Sequence, residues 1–204
     1  MAALLPLVLA AAAVVPAAPV EQNKWFTSQE HPKTALKVTQ RGQVAYAIDV
    51  APDGTAIRCE TPEQGGLDRE VCEIMMKAAR FTPAKDDQGQ PAFARHDSAV
   101  SFLMPGKTWP ERAKLIVGVD SLPAGVTSPA YARVAFLVDG VGKISQCASM
   151  TGERRRFMQT VEALGPSACE HLAKDYRPSP ARNAAGEPVP SVQNVMVKFE
   201  TRQP

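Results

Sequence analysis

Residues 72–92, CEIMMKAARFTPAKDDQGQPA, align without a gap on residues 169–189, CEHLAKDYRPSPARNAAGEPV, at an offset of 97. Eight of the 21 paired positions are identical: Cys72/Cys169, Glu73/Glu170, Lys77/Lys174, Arg80/Arg177, Pro83/Pro180, Ala84/Ala181, Gly89/Gly186 and Pro91/Pro188. Ordinary composition supplies about one or two matches in a window of that length. The halves therefore read as an internal duplication, and a fold encoded by one should recur in the other.

Working outward, residues 43–50 of the first half read as a strand and Pro52-Asp53-Gly54 as a turn, because Pro presets one turn dihedral and Gly accepts a positive one. Residues 55–59 return as a second strand, which makes a hairpin. In the second half, residues 133–138, the turn Asp139-Gly140-Val141-Gly142 and residues 143–147 repeat that pattern, and both hairpins end on a cysteine. Leu67, Val71 and Met75, with Ile74 and Ala78, fall at helical spacing, and Asp68 suits the positive end of the helix dipole. The helix must stop before Pro83. A polar turn over 85–90 containing Gly89 leads to a strand over 93–103, with its counterpart over 192–199. The fold class is α+β: two tandem small modules, each a three-stranded antiparallel sheet with a packed helix, in the order β-β-α-β.

The whole chain has 204 residues, 23 basic and 21 acidic, for a net charge of +2. At 45% hydrophobic and 22% charged it is of globular composition, which excludes wholesale disorder, a collagen-like repeat and a multi-span membrane protein. Near-neutral charge provides no overall field for polyanions, so no nucleic-acid partner is expected. Arg154-Arg155-Arg156 is the densest basic cluster, and without interleaved aromatics it reads as a solvated loop.

Residues 1–20 carry no charged side chain, and the first is Glu21. The apolar run from Leu4 to Val15, followed by Pro16-Ala17-Ala18, has the pattern of a secretory signal, with cleavage expected near Ala17 or Ala18. An uncleaved anchor is the alternative. It is the weaker one, because a spanning helix needs about 20 apolar residues and Pro6 and Pro16 interrupt this run. The expected organisation is a signal over 1–18, a first module over 22–104, a junction over 105–130 and a second module over 131–204. Within the junction, residues 115–119 have the composition of an additional strand for the second sheet.

Export changes the reading of the cysteines. Cys59 and Cys72 lie 13 apart and Cys147 and Cys169 lie 22 apart. An even count in an oxidising compartment favours two disulfides. Of the three pairings four cysteines permit, local pairing within each half is simplest; four buried free thiols are the alternative.

Several motifs resemble one family. Gly42-Gln43-Val44, Pro52-Asp53-Gly54, Leu67-Asp68, Ala79-Arg80-Phe81-x-Pro83-Ala84, Gly89-x-Pro91 and a closing strand through Val100-x-Phe102 are similar, in order and spacing, to the C-terminal domain of TonB, the energy transducer of Gram-negative bacteria. His31-Pro32 with Ala35 stands where that family has a proline-led helix. The resemblance covers residues 32–104 well and 133–199 more weakly: Phe81 becomes Pro178, and Leu67-Asp68 has no clear counterpart.

The resemblance implies recognition rather than chemistry, with an extended peptide of an outer-membrane receptor added as a strand beside the sheet in the periplasm. An edge strand presents unpaired N–H and C=O groups that such a segment satisfies. The expected partner-binding edges are the last strands of the two copies, through His96, Ser98, Val100 and Phe102 in the first and Val195, Val197 and Phe199 in the second. The expected partner is an envelope protein or extended peptide, a TonB-dependent outer-membrane receptor being one example. Membrane contact would come only through an uncleaved N-terminal segment, which would leave the protein anchored in the inner membrane. No Pro-rich spacer separates Val20 from Lys33, and those residues span at most about 45 Å, so a soluble periplasmic binding protein fits better than an anchored energy transducer. The other alternative is a structural or inhibitory envelope protein whose edges are paired internally or in a homodimer.

The residues suggest no catalytic centre and no cofactor. His96-Asp97-Ser98 assembles triad residue types, but in a strand Asp97 faces away from the other two. Gly140-x-Gly142 is a hairpin turn rather than a dinucleotide fingerprint. His31 and His171 have no ligand-spaced partner, so no metal is expected.

Overall fold

The structure is a computed structural model, and it describes residues 13–26, 43–63, 66–102, 113–150 and 160–202. His31-Pro32, Trp109 and Arg154-Arg155-Arg156 lie outside the described residues. The first half begins with β1 (Ala18–Pro19) and a 3-10 turn at Gln22–Lys24. The hairpin β2 (Gln43–Val50) and β3 (Ala56–Glu60) follows, then helix α1 (Gly66–Ala78). Three short strands, β4 (Phe81–Thr82), β5 (Ala84–Lys85) and β6 (Pro91–Ala92), lead into the long β7 (Ala94–Ser101). In the second half come β8 (Leu115–Val119), the hairpin β9 (Ala130–Val138) and β10 (Ile144–Ser149), and a 3-10 turn at Glu162–Leu164. Helix α2 (Gly165–Asp175), the pair β11 (Ala181–Arg182) and β12 (Pro188–Val189), and β13 (Ser191–Thr201) complete it.

The offset of 97 persists in atomic detail. In the β5–β6 turn the Asp86 carboxylate accepts hydrogen bonds from the main-chain N–H groups of Gln88 and Gln90 at 2.9 and 2.8 Å. In the β11–β12 turn Asn183 Oδ1 does the same for Ala185 and Glu187, both at 3.0 Å. Gly89 and Gly186 take positive φ in the two turns. Gly54 and Gly142, also at positive φ, press against the carbonyls of Phe81 and Pro178. The main chain thus meets the same carbonyl whether Phe or Pro supplies it, so the departure at Pro178 leaves this contact intact.

Each helix buries one stripe. On α1, Leu67, Val71 and Met75 are buried, and the Asp68 carboxylate accepts from the Glu63 N–H of the preceding loop at 3.0 Å. On α2, Ala168 and Leu172 take the places of Val71 and Met75. Leu164, buried just before α2, stands at the offset from Leu67, so half of the Leu67-Asp68 pair does have a counterpart. Gly165 replaces the Asp, and the side chain of Ser149 occupies the space a Cβ would need. Disulfides Cys59–Cys72 and Cys147–Cys169 join the second strand of each hairpin to its helix, as local pairing required.

The halves are not separate sheets. Seven strands form one sheet in the order β10-β9-β13-β7-β2-β3, with β8 also paired to β13. The seam is a short parallel contact, Val192 beside Ala94, where the Val192 N–H donates to the Phe93 carbonyl at 2.8 Å. Two cores lie on the sheet. One contains Ile48, Val50, Val71, Met75 and Phe81, and the other contains Val134, Phe136, Leu172, Val197 and Phe199. The junction contributes its expected strand, since β8 pairs in parallel with β13 from Leu115 beside Val197 to Val119 beside Thr201.

Residues 14–18 pack against the first half. Val14 and Ala17 are buried in the first core, Val15 exchanges two main-chain hydrogen bonds with Lys85, and β1 pairs with β4.

Candidate recognition edge

The first-half edge is a product of strand alternation. In a β-strand the N–H and C=O of one residue point to the same side and those of the next to the other. On β7 the Phe93 carbonyl points to β13, so Arg95, Asp97, Ala99 and Ser101 direct their main-chain groups outward, and His96, Ser98 and Val100 direct theirs to β2. After the contact at Ala94, no strand among the described residues pairs with the outer side of β7. The main-chain groups available for strand addition are thus those of Asp97, Ala99 and Ser101. The alternate residues His96, Ser98 and Val100 supply side chains to the helix-facing surface.

Beside this edge lies a cavity of about 250 Å³, lined by Trp25, Phe26, Tyr46, Met75 and residues 98–101. Trp25 is buried, with its indole N–H donating to the Val20 carbonyl at 3.0 Å and its ring edge-on to Phe81 at 5.3 Å. Phe26 and Phe102 meet edge-on at 6.0 Å. The Ser101 hydroxyl is buried and has no hydrogen-bond partner among the described residues. His96 is buried with its ring 5.2 Å from Phe81 and 6.5 Å from Tyr46, so it belongs to the core beneath the edge. Asp97 projects to the opposite face, toward Arg95 and Lys114, which separates it from His96 and Ser98 as alternation requires.

The expected second edge is not an edge. Val195, Val197 and Phe199 are buried on β13, which pairs with β9 on one side and with β7 and β8 on the other. Sequence reasoning identified β8 as a strand of the second sheet but did not place it against the last strand, because apolarity marks a strand without naming its neighbour. His171 lies half-exposed on α2, with Nδ1 3.4 Å from the Asp175 carboxylate, an i,i+4 pair.

Charge concentrates at the seam. The Arg95 guanidinium donates to Asp49 at 2.9 Å and to Glu60 at 2.8 Å, with Asp97 3.5 Å away. Burial raises the Asp49 carboxyl above its ordinary range, opposed by Arg95 and by the main-chain N–H of Arg182 from the second half. Burial also acts to raise Glu60, but its hydrogen bond and charge interaction with Arg95, with help from Arg58, hold it below the usual range. The Tyr176 hydroxyl, at the end of α2, is pushed up to about 12 by burial and then by the charge of Asp97. Across the halves, the Arg182 main-chain N–H stabilises the Asp49 carboxylate, and the Tyr176 phenol lies within the field of Asp97 and Arg95.

The first half is thus a disulfide-pinned helix on a sheet in which β7, beyond Ala94, pairs on one side only among the described strands. Residues 27–103 match the family described as Gram-negative bacterial TonB protein C-terminal. The first half is thus similar to TonB C-terminal domains, and that likeness implies an envelope-related, TonB-like function. No curated protein and no solved structure matches the chain.

Proposed function

We propose that the chain is a periplasmic binding protein in which the first TonB C-terminal domain takes an extended segment of an envelope protein as a strand along β7. The observation that carries this reading is the run of outward main-chain groups at Asp97, Ala99 and Ser101, which no described strand satisfies. Strand addition would pair these groups, and alternate side chains of the incoming segment would enter the cavity lined by Trp25, Phe26 and Tyr46.

The second half, as the divergent copy of a tandem pair, has a different role in this proposal. Its last strand is paired on both sides, which favours a buttress that fixes the start of β7 through Val192 and Ala94 and leaves the rest of that strand open.

The test places a photo-crosslinking residue at Ser98 in the intact envelope, with and without Ala99→Pro. Proline at 99 removes an outward N–H that the β2 ladder does not use, so the domain stays folded. The reading predicts protein adducts that disappear with Ala99→Pro. Adducts that persist, or none at all, would overturn it.

A further inference from the structure

We propose that the exported protein begins at Val14, the leader being cut between Ala13 and Val14. The proposal rests on the export reading. A segment destined for removal needs only apolar character, whereas residues 14–20 are fitted to the folded domain. Val14 and Ala17 are buried at 7% and 5% exposure, while Ala13, Val15 and Ala18 are exposed. The main chain is engaged along the segment: Val15 N–H to the Lys85 carbonyl at 2.9 Å, Lys85 N–H to the Val15 carbonyl at 2.8 Å, Ala18 N–H to the Thr82 hydroxyl at 3.2 Å and Val20 N–H to the Arg80 carbonyl at 2.8 Å. Pro16 and Pro19 preset φ for this extended path.

The segment also holds Trp25, whose indole N–H donates to the Val20 carbonyl. A cut after Ala17 or Ala18 would strip Val14 and Ala17 from the first core and leave the Lys85 N–H and C=O without their partners on Val15. One residue upstream of the fitted segment, Ala11-Ala12-Ala13 places small residues at the two positions signal processing reads, and Leu4 to Ala10 provides an apolar core within the usual seven to fifteen or so residues. The same composition that made Ala17-Ala18 look like the cut thus occurs once more upstream, and burial distinguishes the two.

The test expresses the full chain in a Gram-negative host and reads the intact mass of the periplasmic protein. A chain starting at Val14 is expected. A start at Ala18 or Pro19 would overturn the placement while leaving export standing, and unprocessed protein in the membrane would overturn cleavage itself. Unprocessed protein confined to the cytoplasm would overturn export with it. Ala13→Leu should accumulate precursor whereas Ala18→Leu is processed normally, and the reverse pattern would sink the proposal. Purified protein beginning at Pro19 should also melt several degrees below protein beginning at Val14, and equal melting would contradict the fitted role of residues 14–18.

Discussion

At the offset of 97, His96, Ser98, Val100 and Phe102 of the first half stand where Gln193, Val195, Val197 and Phe199 stand in the second. His96 and Gln193 are both buried, but from there the strands diverge. Ser98, Val100 and Phe102 remain half-exposed, whereas Val195, Val197 and Phe199 are buried at 3%, 0% and 0%. The difference lies in the neighbours. β13 has β9 and β8 beside it, and Val117, Leu122 and Val126 help to enclose its end, while the corresponding part of β7 has β2 alone among described strands. A duplicated strand becomes a core element in one copy and an edge in the other according to which neighbour the chain supplies.

The sharpest way to break that comparison is to truncate the paired phenylalanines. Phe199→Ala removes a fully buried ring and is expected to lower stability by about 3–5 kcal/mol. Phe102→Ala removes a half-buried ring at the end of an open edge and should cost about 1–2 kcal/mol while weakening the crosslinks made from Ser98. Denaturant unfolding measures both, and equal losses would mean that β7 is as enclosed as β13.

Opening the disulfides tests whether the halves are equivalent frames. Their loops of 13 and 22 residues each contribute about 3 kcal/mol in the chain-entropy model, the longer slightly more. Cys59→Ser with Cys72→Ser, and Cys147→Ser with Cys169→Ser, should therefore lower the denaturant midpoint by similar amounts. A loss confined to one pair would show that the other half is held mainly by the shared sheet. A smaller contrast is expected at the hairpin glycines. A Cβ at Gly54 would lie 2.2 Å from the Phe81 carbonyl oxygen, against 2.9 Å from that of Pro178 at Gly142, and both residues have positive φ. Gly54→Ala should cost about 2–3 kcal/mol and Gly142→Ala about 1 kcal/mol, read as melting temperature. The reverse order would indicate that the first hairpin relaxes more easily than the second.

Much of this architecture was legible because the repeat carried local signals. Cysteines at strand end and helix, Gly at positive-φ turns, and Leu67, Val71 and Met75 at helical spacing each encode a local geometry that survives folding. Leu164 was missed because the short 3-10 turn ahead of α2 hides its helical register, although the gapless offset could have been extended to it. Three features depend on distant pairing: the fusion at Val192 and Ala94, the pairing of β8 with β13 from Val197 to Thr201, and the bridge between Val15 and Lys85. No periodicity within a segment specifies its neighbour, and at the N-terminus the apolar run satisfied two patterns at once. The candidate site was half legible for the same reason. Strand β7 was identified, but which alternate residues turn their main-chain groups outward follows only from its contact with β13.

The smallest expected effect concerns acid, and it sharpens the comparison at the seam. The folded carboxyl of Asp49 is raised, so its contribution to stability grows as pH falls through the folded value toward 3.8 and is lost as pH rises again. Glu60 is lowered, so the stability it contributes is present above 4.5 and lost as pH falls through its folded value. Both hydrogen-bond to Arg95, and their opposed signs should give the seam a shallow net dependence across the carboxylate range. Asp49→Asn removes the term that favours acid and should steepen the loss of melting temperature on acidification. Glu60→Gln removes the term that opposes acid and should flatten or reverse it. Parallel profiles for the two variants would mean that folding does not shift the two carboxyls in opposite directions.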